Sequence, residues 1–252
     1  LWRPDLEEGG VWLDWRPLPE GLGLGSLLVI LIGLLAQGLI FFPVLGEVPL
    51  EEISPALLQS VSIATMHLPV TIFIFWWIPR QRLPVGEALG LQKPVWKLSS
   101  LLSGSKGYLL SLPLTAIAGL LTALVLNWLD LDFSPQLAVS SLNNLSSPLE
   151  VGIIVLLIGF LGPFCEEVLF RGVLFPLFRK KMSVGMANLL QSLLFALVHL
   201  HFPGFLPLLV LSLVLGWVYQ ATRDLMAAFW MHAIFNCMTL IVVFVTAGGA
   251  GA

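Results

Sequence analysis

Seven stretches of this chain are each apolar enough to cross a lipid bilayer as a helix, at residues 25–45, 55–78, 107–129, 149–179, 184–202, 205–222 and 225–246. Spanning the hydrocarbon core takes about 20 mostly apolar helical residues. The expected fold is therefore all-α, a polytopic transmembrane bundle of about seven spans whose chemistry-bearing core lies in the last four. Composition agrees. The chain is 58% hydrophobic and 11% charged with a mean hydropathy of +0.95, far from the roughly quarter-charged usage of soluble domains. A net charge of -3 without a basic block argues against nucleic acid as a partner.

The distribution of Lys and Arg tests the division. Cytoplasmic loops collect positive charge, and Arg80, Arg82, Lys93, Lys97 and Lys106 follow the second stretch, Arg179, Lys180 and Lys181 the fourth, and Arg223 the sixth. The intervening loops at 46–54, 130–148 and 202–205 hold neither residue. Alternation is complete for seven spans with the N-terminus on the cytoplasmic side. Residues 1–24, with Trp2, Trp12 and Trp15 among acids and prolines, read as an interfacial segment. Residues 25–148 hold the first three spans and VGEALGLQKPVWKLSSLLSGSKG, expected as an amphipathic cytoplasmic surface segment or a plain loop. Residues 149–246 form the core and 247–252 a flexible tail. In the long fourth stretch Gly162 and Pro163 are expected to kink or restart the helix.

Directly after that break comes PFCEEVLFRG, which places Glu166, Glu167 and Arg171 in an apolar run. Ionised groups in hydrocarbon cost several kcal/mol or find a function. Glu167 and Arg171 share a helical face at i, i+4, where they pair, while Glu166 points about 100° away and is free to face a cavity. A purely structural ion cluster is the alternative. His199 closes LLFALVH one turn after Phe195, and an interfacial or core histidine is its plainer role. HAIFN sets His232 and Asn236 on one face of the last span, facing the bundle interior or serving as interhelical glue. The other spans add little polar beyond His67, Gln37 and Asn127. By helical rise, Glu166 and His199 lie about 21 and 22 Å from the cytoplasmic ends of their spans, Asn236 about 16 Å and His232 about 10 Å. Convergence of all four thus requires tilt, a kink or a shifted helix start.

Together EEVLFR at 166–171, FALVH at 195–199 and HAIFN at 232–236 resemble the ordered EExxxR, FxxxH and HxxxN/D motifs of the CPBP family, the CaaX prenyl endopeptidases and bacteriocin-processing enzymes also called Abi proteins. The resemblance covers roughly residues 149–240, with a family-like LGLQKP before the third span. It implies a membrane-embedded endopeptidase in which Glu166 and His199 activate water, His232 and Asn236 stabilise the oxyanion, and Glu167, Arg171 and Phe195 support them.

Histidine and carboxylate ligands also suit zinc with one open position for water. Glu166, His199 and His232 are the ligand set for such a divalent cofactor, although no HExxH is present and a metal-free glutamate mechanism uses the same residues. SGSKG lacks the order of a serine elbow, and a buried thiol such as Cys165 is usually inert. A non-proteolytic membrane partner, with an immunity or complex-assembly role, is the alternative function; an ion or proton pathway is a third. Expected partners are lipid and a peptide or membrane-protein substrate, with a larger membrane complex also open. The location is a bacterial inner membrane or an organellar one, thylakoids included.

Overall fold

The computed structural model describes residues 55–80, 82–91, 94–131 and 147–249; the segment at 1–24 and the first expected span lie outside them. All the regular structure among these residues is helical. Helix α1 covers 55–80, α2 Val85–Leu89, α3 Leu98–Trp128, α4 Pro148–Arg179, α5 Val184–Val198, α6 Phe205–Thr222 and α7 Leu225–Gly249. Five of them, α1, α3, α4, α6 and α7, are long and apolar enough to cross a membrane. The chain is an integral, multi-pass membrane protein with an all-α bundle. Helix α5 ends at Val198 rather than at 202 and spans 15 residues, about 22 Å by helical rise.

The polarity of α3 is inverted relative to a soluble helix. Its buried positions are Ser100, Gly104, Gly107, Ser111, Thr115 and Ala118, whereas Leu109, Ile117, Leu120, Leu124 and Trp128 are exposed. Water would drive the large apolar side chains inward; lipid leaves them outside and lets small residues bring helix backbones together. A Cβ on Gly104 would lie 2.7 Å from the Met231 nitrogen and 2.8 Å from the Ala227 carbonyl oxygen of α7. Ser100 at the same seam donates to the Asp224 carboxylate, which also accepts from the Met226 N–H at the start of α7. The surface segment expected through Gly107 is therefore corrected. Residues 98–107 form the first turns of α3, and the serines and glycines that read as a loop are its packing face.

Gly104→Val is expected to cost about 3 kcal/mol, the upper end of overpacking penalties, because backbone rather than a side-chain tip blocks the new atoms. Gly119→Ala, on the same helix with nothing within 4 Å of the added Cβ, should stay within about 0.5 kcal/mol of the parent. Thermal unfolding in detergent, followed by tryptophan fluorescence, separates the two.

Helix α4 changes register at Gly162 and Pro163, where α-helical bonding restarts after a π turn. A wide turn with π-helical hydrogen bonding occupies Leu157–Leu161, and the Gly162 N–H reaches the Leu157 carbonyl. The extra residue of a π turn makes room for a proline ring that would otherwise clash with the carbonyl four residues back. Further π turns lie at Ile63–His67 in α1 and Val168–Leu174 in α4.

Helix α2 is sunk into the bundle. Ala88 and Leu89 are fully buried, a Cβ on Gly172 of α4 would meet Leu89 Cδ2 at 2.9 Å, and the Gly90 carbonyl accepts from the Leu225 N–H at 3.0 Å. The start of α7 is therefore tied to α2, which packs on Gly172 of α4 rather than at Lys180; a raised start of this kind is what convergence of His232 with Glu166 requires.

Candidate active site

Arg171 and Glu167 lie one turn apart on α4 and both are 0% exposed. The guanidinium donates from Nη1 to Glu167 Oε1 at 2.8 Å and from Nη2 to the Ser212 carbonyl and hydroxyl of α6 at 2.9 and 2.8 Å. Charge-assisted bonds of this kind hold an ion pair in a low-dielectric interior. His232 of α7 brings Nδ1 to the same Glu167 oxygen at 2.9 Å. Three helices thus meet at an ion pair that has no contact with solvent, α6 through the guanidinium and α7 through the carboxylate.

Glu166 is placed differently. Its side chain is 18% exposed, and among the described residues its ion-pair partners are imidazoles rather than an arginine. Oε1 is 3.2 Å from His67 Nε2 of α1, Oε2 is 3.8 Å from His232 Nε2, and His199 lies within electrostatic reach. Oε2 is buried and has no hydrogen-bond partner among the described residues.

The histidine tautomers follow from their partners. A carbonyl oxygen only accepts, so His199 donates its Nδ1–H to Phe195 O at 2.7 Å and its neutral ring carries the lone pair on Nε2. An ionised Glu167 likewise fixes Nδ1–H on His232, so that Nε2 of this ring donates only in the imidazolium form. Phe195 is fully buried and lies between these groups, with ring centroids 4.7 Å from His199 and 5.7 Å from His232, and the Arg171 guanidinium carbon 5.1 Å from its own.

Asn236 is tied elsewhere. Its Nδ2 donates to the Ile158 carbonyl at 2.9 Å. In the π register that oxygen would accept from residue 163, a proline without an N–H; an interhelical side chain satisfies it instead, as a backbone carbonyl in lipid requires. Asn236→Leu is expected to destabilise by about 1 kcal/mol. Adding Pro163→Ala, which restores a backbone donor, should recover part of the loss in a double-mutant cycle of chemical unfolding.

The structure therefore brings Glu166, Glu167, Arg171, Phe195 and His232 into direct contact, sets His199 against Phe195, and engages Asn236 at the preceding π turn. Sequence reasoning missed His67 as a neighbour of Glu166. The available signal was an ionisable residue in an otherwise apolar span, IATMHLPV, which carries the same presumption of function as the glutamates. Among the described residues no group of three or more His, Cys, Asp and Glu side chains is placed to hold a metal ion; His67 Nε2 and His232 Nδ1 lie within hydrogen-bond distance of the Glu166 and Glu167 carboxylates.

Residues 148–238 match the family model described as Type II CAAX prenyl endopeptidase Rce1-like. That stretch contains every candidate except His67. A CAAX-protease-like intramembrane peptidase domain is thus matched over part of the chain, and the buried His232–Glu167 pair lies within the matched stretch. Two curated bacterial proteins are similar. "UPF0177 protein YxdF" of Lactococcus lactis subsp. lactis is 36% identical over 81 residues, covering 32% of this chain and 44% of its own length. "Putative membrane peptidase YdiL" of Bacillus subtilis is 23% identical over 92 residues, covering 36% of this chain and 38% of its own length. The matched stretch is less than half of each of these relatives. No solved structure matches the chain.

Proposed function

We propose that the protein is an intramembrane endopeptidase that hydrolyses a peptide bond with water activated by Glu166 and His199. The observation that carries this reading is Glu166 Oε2, which accepts no hydrogen bond among the described residues and stands 3.8 Å from His232 Nε2, so that this oxygen is left to take a water proton with a donor for the oxyanion beside it. The neighbouring Glu167 holds both Arg171 and His232 through Oε1 and is 0% exposed, against 18% for Glu166, which leaves Glu166 as the base. Glu166 takes the water proton, the hydroxide adds to the scissile carbonyl, and the same carboxyl returns the proton to the leaving amine as the C–N bond breaks. His199 accepts from the water through Nε2. His232 donates to the oxyanion from Nε2 as the imidazolium, held by Glu167, and Asn236 contributes the Nδ2 hydrogen not used on Ile158.

Seven spans, with one at 25–45, a cytoplasmic N-terminus and entry of substrate from that side or laterally from lipid, complete the proposal; the Lys and Arg distribution supports it. The substrate is a membrane-associated peptide or protein. Comparative proteomics of membrane peptides tests the reading. A peptide that disappears, with accumulation of its precursor, in cells carrying Glu166→Gln supports it. Unchanged peptides together with retention of a co-purifying membrane protein would establish a scaffold instead.

A further inference from the structure

Among the described residues no arginine forms an ion pair with Glu166, yet a carboxylate within lipid needs hydrogen-bond donors to remain in place. Arg171 is spent on Glu167 and Ser212, His199 gives its Nδ1–H to Phe195, and His232 gives its own to Glu167. The hydrogen bond that the structure shows on Glu166 comes from His67, at 3.2 Å. This residue belongs to α1, outside the 148–238 stretch that the family model covers.

Local structure explains how α1 delivers it. His67 is the last residue of the π turn Ile63–His67. Ile63, which opens the turn, is buried, and its Cδ1 would lie 3.9 Å from a Cβ on Gly162. Thr71, one turn after His67, is also buried. Residues 63, 67 and 71 therefore form one stripe facing α4, and the wide turn keeps this four-residue spacing in line where an α-helix would drift. His67 is 25% exposed and His232 4%, so the α1 imidazole stands on the open side of the carboxylate.

We propose that His67 is a positioning residue that fixes the Glu166 carboxylate by holding Oε1, leaving Oε2 directed at the reacting water; the candidate site is completed by the N-terminal half of the chain. A glutamate side chain has three rotatable torsions, and Oε1 on His67 with Oε2 beside His232 selects one orientation. Without His67 the carboxylate is free to turn onto His232, which removes the base from its substrate. The inference rests on the peptidase reading and deepens it.

Its test uses the full chain, purified in detergent or liposomes, with a membrane peptide identified as cleaved in the proteomic comparison above. His67→Ala should lower kcat about 100-fold, as misplacement of a catalytic group does, with KM within about threefold of the parent, and added imidazole should restore part of the rate. His67→Gln, which keeps an N–H donor, should retain more of kcat than His67→Ala. A contact measurement accompanies the kinetics. The chain has four histidines, so 15N-histidine NMR resolves them. Glu166→Gln should shift the ring resonances of the residue assigned by its loss in His67→Gln.

If Glu166→Gln abolishes cleavage while His67→Ala keeps full kcat, or His67 resonances ignore Glu166→Gln, the positioning role is overturned and the peptidase reading stands. If Glu166→Gln leaves cleavage intact, the peptidase reading fails, and this inference with it.

Discussion

Glu166→Gln is expected to lower turnover about 10³-fold, within the range lost when a general base is removed, and to leave the fold intact. The amide has nearly the shape of the carboxyl group and still presents an oxygen to His67, while the main ion pair in this region involves Glu167. The variant should therefore unfold within about 1 kcal/mol of the parent. The decisive comparison is with Glu166→Asp, which retains a carboxylate but withdraws it by one methylene. Partial activity in that variant with none in Glu166→Gln identifies proton transfer as the lost step. Equal loss in both would mean that shape alone is at stake. Single-turnover cleavage of the same peptide by all three proteins provides the measurement.

The second large effect concerns stability. Arg171→Met should destabilise the bundle by about 3–5 kcal/mol, the cost of leaving one member of a buried pair without its counter-ion. Glu167 is 0% exposed and, with Arg171 removed, keeps His232 Nδ1 at 2.9 Å as its hydrogen-bond partner among the described residues. The Ser212 carbonyl and hydroxyl lose their guanidinium partner as well. Combining Arg171→Met with Glu167→Gln removes both charges and should recover a substantial share of the loss, since well-packed neutral replacements of buried pairs are often tolerated. Urea titrations of the single and double variants in mixed micelles check this. Additive losses would show that Arg171 acts through Ser212 and not through Glu167.

Much of this architecture was legible because the relevant signals are local. The spans at 55–78, 149–179, 205–222 and 225–246 emerged as helices close to those limits, for length and hydropathy decide what a helix in lipid requires. The i, i+4 spacing of Glu167 and Arg171 likewise dictated their pairing. The errors came where tertiary packing reverses a local preference. SSLLSGSKG reads as a loop because glycine and serine disfavour an isolated helix; against the α7 backbone the same residues are what permits close approach. At Gly162–Pro163, where a kink or restart was expected, α-helical bonding does resume, but the π turn that precedes it was not legible because the rule assumes α-helical spacing throughout. The recessed position of α2 was invisible to a depth argument that placed every cytoplasmic helix end at one level. His67 was hidden for a further reason. Its partner is 99 positions away, and no periodicity within α1 announces it.

Phe195 gives the FxxxH spacing a mechanical meaning. An aromatic plate with no accessible surface, wedged between two imidazoles and a guanidinium, works as a shim. It touches the histidine that caps α5 and the one within α7, and a rigid ring does not yield as an aliphatic side chain does. Evolution could therefore vary the lipid-facing exterior widely while this one insert preserves the tolerances of the machinery inside.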